Sequence, residues 1–228
     1  MSSAFVPARA HGEITEVLPD LFVVRSSYRF MPGFSIPRNM IVVRQGEELT
    51  LVNGVRLGPE GEAALERLGR VKHLVRLGSF HGVDDPYLKA RYQPRTWAAK
   101  GLEADEALGP GRSPVGEAWS FEGGQAPEAA MCVASTLLTC DSFQNWTSES
   151  FAQCSWLGRV FMRQAGFRPA LIGPFWLKRM GPGVESDLRR LAEWSFEHAI
   201  AGHGEPIVGG AHGAYKDEVE RTFRPTPS

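Results

Sequence analysis

The chain is poor in cysteine, in net charge and in long apolar runs, and each shortage removes a class of function. Three cysteines, Cys132, Cys140 and Cys154, stand among 228 residues. An odd number without Cys-x-x-Cys spacing excludes both a disulfide framework and a thiolate zinc site; buried, reduced thiols are expected instead. Twenty-five basic and 26 acidic side chains leave a formal net charge of -1, so nothing draws the chain toward nucleic acid or a membrane surface. Nowhere do roughly 18 apolar residues follow one another, as an ordinary membrane-spanning helix requires. Residues 1–12 lack the apolar stretch of a secretory signal, and a cytoplasmic location is expected. The glycine pairs at 202/204 and 209/210 match neither G-x-G-x-x-G nor a P-loop, which disfavours nucleotide binding by those routes. Histidine occurs only at positions 11, 73, 81, 198, 203 and 212.

What is present reads as one α/β domain over residues 1–228. Hydrophobic residues make up 43% and charged residues 22%, ordinary values for a chain that buries a core of this size. The first half predicts a hairpin over 13–18 and 21–29 around Pro19-Asp20, and another over 39–44 and 48–52 around Gly46. A helix is expected from Pro59 to about Leu68, stopped by Gly69, then a central apolar strand over 71–77. Residues 101–116 predict an irregular surface connection. Further strands are expected at 119–121, 131–134, 137–140 and 196–201, with helices over 146–164, from a cap at Asp187 to about Glu193, and over 215–223. Trp146, Trp156, Trp176 and Trp194 are expected to anchor packing. Asn145-Trp146-Thr147 fits a glycosylation acceptor pattern, which carries no meaning for a cytoplasmic chain.

Four stretches carry a resemblance. They are Thr50-Leu51-Val52-Asn53-Gly54, Leu77-Gly78-Ser79-Phe80-His81-Gly82-Val83-Asp84-Asp85, Leu137-Leu138-Thr139-Cys140-Asp141 and Ala201-Gly202-His203-Gly204. In order and spacing the chain resembles the metallo-β-lactamase superfamily. Members of that superfamily have an apolar strand ending in Asp-Gly, then His-x-His-x-Asp-His, a middle histidine, a strand ending in Gly-Asp, and Gly-His-Gly. The resemblance implies a four-layer αββα sandwich: two mixed sheets face to face with helices outside.

The same resemblance implies a depleted metal site. In the best register Phe80 and Gly82 fall at the first two histidine positions, Asp84 at the aspartate and Asp85 at the last histidine. A two-residue shift would bring Ser79 and His81 to the histidine pair but put Val83 where the aspartate belongs. No histidine between 82 and 197 can serve as the middle ligand. The expected metal ligands are therefore Asp84, Asp85, Asp141 and His203, an oxygen-rich set suited to Mn(II), Fe(II) or Mg(II), with Zn(II) less strongly selected. Without a cation, three converging carboxylates would repel and raise at least one pKa. His81, Asp84 and Asp141 are the candidate catalytic groups, His81 as an acid or base beside the site.

Each residue also has a structural reading. Asp84 and Asp85 before Pro86 can cap a helix near Tyr87, and Asp141 can cap its own turn. His198 and His212 are expected in satisfied structural roles. Two functions follow: a hydrolase using one atypical cation, or a non-catalytic scaffold binding a small molecule or protein without metal. An iron redox site fits the oxygen donors but has no cysteine or flavin signal beside it. No loop carries a motif that names a substrate.

Overall fold

The computed structural model describes residues 5–224. Strands β1 (His11–Leu18) and β2 (Leu21–Met31) form the first expected hairpin, with Asp20 at a φ of 62° in its two-residue turn. Strand β3 (Phe34–Gln45) is longer than the sequence predicts because it runs through Pro37, paired with Ser27, where a proline would normally argue against a strand. β4 (Glu48–Val52), helix α1 (Pro59–Leu68), β5 (Arg70–Arg76), α2 (Asp85–Tyr92) and β6 (Arg95–Ala98) follow. β4, β5 and β6 lie parallel, as the crossover reading requires. A two-residue strand, β7 (Glu106–Ala107), adds to the edge inside the segment expected to be irregular.

The first sheet thus has seven strands in the order β1-β2-β3-β4-β5-β6-β7. The second has four, β13-β10-β9-β8, formed by β8 (Glu117–Ser120), β9 (Ala129–Val133), β10 (Thr136–Leu138) and β13 (His198–Ile200). Both sheets are mixed. A small third pair joins β11 (Phe143–Gln144) to β12 (Leu171–Ile172).

Alternation along β2 explains the layering. Leu21 and Val23 face Met131, Leu138 and Ile200 of the second sheet, whereas Phe22 and Val24 turn outward to Leu65 of α1 and Leu88 of α2. On the far side, Ala130, Leu137 and Ala199 pack against α5 (Pro174–Met180), α6 (Glu185–Leu191) and α7 (Ala211–Thr222). The expected αββα sandwich is the fold.

Two local readings need correction. The helix expected over 146–164 is broken into α3 (Ser148–Ala152) and α4 (Trp156–Gln164), because Ser155 caps the second through the Gly158 amide. Asp187 lies inside α6 and braces the loop between β8 and β9: its carboxylate accepts the amides of Glu122 and Gly123 at 3.0 and 2.7 Å. No helix among the described residues is long and apolar enough to cross a membrane.

Candidate metal centre and its cavity

The candidate groups hang from strand ends. β10 runs out into Thr139-Cys140-Asp141, a turn pinned by the Thr139 hydroxyl donating to the Phe143 carbonyl at 2.8 Å. The amides of Asp141 and Ser142 donate to Glu128 Oε1 at 3.1 and 2.8 Å. Beyond β5, the Leu77 amide donates to Asn53 Oδ1 at 3.2 Å, and the chain then turns so that His81 faces inward. After β13, Gly202 donates to the Thr139 carbonyl at 3.0 Å and accepts from the Asn39 amide at 2.8 Å. A Cβ on Gly202 would stand 2.9 Å from His81 Cε1, so glycine is what lets the two segments meet.

These turns bring His81, Asp141 and His203 together in the interior. His203 Nε2 is 3.1 Å from His81 Nε2 and 3.1 Å from Asp141 Oδ1, and His81 Nε2 is 3.6 Å from the same oxygen. Cys140 completes a buried group with His81 and Asp141. Its thiol sits 3.9 Å from Asp141 Oδ2, and burial pushes that thiol far above its usual pKa. The three cysteines are free, with Cys140 and Cys154 buried as expected.

His203 Nδ1 lies 2.7 Å from the Pro37 carbonyl, which can only accept, so Nδ1 carries a proton. In the neutral ring Nε2 is then a bare lone pair facing two further acceptor-capable atoms. Burial lowers the His81 pKa, with the pull of Asp141 acting against it. Burial pushes Asp141 up, but His81, together with hydrogen bonding to His203, outweighs it and holds the carboxyl below its ordinary range. A carboxylate oxygen and two ring nitrogens therefore face one another, donors that one cation could share.

The spacing fits one. A divalent ion with nitrogen and oxygen ligands at roughly 2.0–2.2 Å sets neighbouring donors about 3.0–3.5 Å apart, and the three contacts run from 3.1 to 3.6 Å. Two imidazoles and one carboxylate open to a cavity suit zinc or iron(II) better than magnesium.

Asp84 and Asp85, expected as ligands, are drawn elsewhere. Asp84 forms a buried ion pair with Arg38, the two side chains only 3% and 5% exposed; it makes no side-chain helix cap. Asp85 opens α2, with its Oδ2 3.8 Å from Arg76 Nη1. Of the four expected ligands, Asp141 and His203 stand with His81 in one cluster, whereas Asp84 pairs with Arg38 and Asp85 faces Arg76. Phe80 and Gly82 lie apart from the cluster, Phe80 at the mouth under Arg179 and Gly82 against Arg76. His198 accepts from the Gly209 amide and His212 bonds the Ala192 carbonyl, both structural as expected. Glu128 and Arg38 carry no motif; an acid immediately before the apolar strand β9 is the one available hint.

Asp85 also gives a test. Burial raises its pKa to about 6 against the pull of Arg76, and its Oδ1 has no partner among the described residues. Below about pH 4 the group is protonated folded or unfolded. Between there and about pH 6 the folded chain keeps a proton the unfolded chain has released, so stability falls as pH rises. Asp85→Asn is expected to add about 1–2 kcal/mol at pH 8 and almost nothing at pH 4, read by thermal unfolding at both values. An equal gain at both would place the effect outside titration.

No protein-family model matches the chain, and none of the curated proteins does. Solved structures do. The FIM-1 metallo-β-lactamase from Pseudomonas aeruginosa in its mono-zinc form superposes with a TM-score of 0.62 at 13% identity, over 96% of this chain and 99% of that one. The chain has the metallo-β-lactamase fold. A metallo-β-lactamase from Erythrobacter litoralis gives 0.59 at 12% identity over 93% and 96% of the two chains, and the DIM-1 metallo-β-lactamase exposed to ceftazidime gives 0.60 at 14% over 96% and 100%. Identities this low speak for architecture alone. Within this metallo-β-lactamase fold, His81, Asp141 and His203 form the floor of a cavity of about 660 Å³, a size typical of small-molecule sites.

Proposed function

We propose that this chain is a hydrolase of metallo-β-lactamase fold that works with one divalent cation held by His81, Asp141 and His203. The observation carrying this reading is the Nδ1 contact of His203 with the Pro37 carbonyl, which fixes the tautomer that offers Nε2 as a ligand beside a carboxylate. A bound zinc or iron(II) ion would supply a Lewis acid that polarises an acceptor oxygen of the substrate. The protein's own groups do the rest. Asp141 keeps its charge inside the fold through its neighbours, Glu128 fixes the turn that aims it, and apolar walls surround the polar floor.

A second reading, the non-catalytic binder, draws on Asp84: the one residue at the superfamily's aspartate position is already neutralised by Arg38. Metal content separates the two. Protein stripped with a chelator and titrated with Zn(II), Mn(II), Fe(II) and Mg(II) is expected to take up one equivalent of zinc or iron(II), with a raised melting temperature. His203→Ala should weaken that uptake by more than about 100-fold, since losing even an outlying partner costs about 10–100-fold, while Asp85→Asn should leave it intact. Uptake by neither metal, or uptake unaffected by His203→Ala, would leave the binder.

A further inference from the structure

We infer that the cavity over this floor takes a small molecule with an apolar chain, seated along its walls. The inference rests on the reading above only for the site it shares; the walls argue independently. Phe161 and Met162 of α4, Phe175 and Trp176 of α5, and Phe34 and Ile36 of β3 surround the space. Phe34, Phe161 and Phe175 pack ring against ring, at centroid distances of 5.3 and 5.6 Å. The apolar lining continues outward to the rim, where Arg179 stacks on Phe80. Phe175 is 49% exposed, Phe80 57% and Met31 61%, an apolar mouth of the kind that marks a ligand groove more often than idle surface.

A wall of rings selects an apolar tail and disfavours a sugar or nucleotide, whose many hydroxyls would go unpaired.

The test is calorimetric titration of the full-length protein with acetate, hexanoate and decanoate, the last below its micelle concentration. Chelator-stripped and zinc-treated samples are run side by side. Affinity is expected to rise about fourfold per methylene, hence on the order of 100-fold or more from hexanoate to decanoate, in both samples. Phe175→Ser and Met31→Ser, each at an exposed mouth position, should weaken decanoate severalfold and leave acetate unmoved. A flat response to chain length overturns the inference, as does decanoate binding indifferent to both mouth variants. Zinc uptake with no chain-length dependence sinks this inference and spares the metal reading, and the reverse pattern sinks only the metal reading.

Discussion

Asp84→Ala is expected to cost about 3–5 kcal/mol of stability, among the largest effects of any single substitution in this chain. The reason is Arg38. Its guanidinium is buried with Asp84 as its only ion-pair partner among the described residues, and removing the carboxylate strands a charge in an apolar wall. Replacing both partners tells a different story, because two neutral side chains of similar size carry no desolvation penalty. Arg38→Met with Asp84→Leu should fall within about 1–2 kcal/mol of the native chain. Denaturant unfolding of the single and double variants measures this. A mild single variant would mean that water reaches Arg38, and would reopen Asp84 as a free ligand.

Glu128→Ala should cost about 2–5 kcal/mol, since it leaves the amides of Asp141 and Ser142 buried without an acceptor, at about 1–3 kcal/mol each. Glu128→Gln keeps the accepting oxygen and should stay within about 1 kcal/mol of native. Burial and the neighbouring Asp141 already push the Glu128 pKa well up, so little is lost with its charge. Urea unfolding of the two variants, with metal uptake measured alongside, separates structural support from ligation. Equal damage from alanine and glutamine would show that the acid group itself, not its acceptor geometry, is what the turn requires.

The sequence carried most of the architecture because strands such as β2 begin as continuous apolar runs covered on both faces, and because Pro59 and Gly69 bracket α1 so clearly. It failed where long-range pairing overrode local chemistry. Pro37 hides the first third of β3 from any local reading, yet ten paired positions with β2 hold it in the sheet. The site divided the same way. Asp141 and His203 were visible at strand ends, and His81 as a neighbour, but nothing local to Asp84 and Asp85 reveals that Arg38 and Arg76, 46 and nine residues away, claim them first. Motif alignment assigns positions, whereas charge pairing in the folded chain decides which carboxylates remain available.

The cluster at the floor hangs from backbone: Asn39 ties β3 to the carbonyls of Ala201 and Gly204, and Pro37 steadies His203. The rings above it come from α4 and α5, and from Phe34 on the same strand as Pro37 and Asn39. Selectivity is therefore divided between two helices and a strand that also carries the ties. Grafting a different helix should retune which molecules enter while the reactive centre stays as it is, which makes this scaffold a natural starting point for exchanging appetites without rebuilding the chemistry.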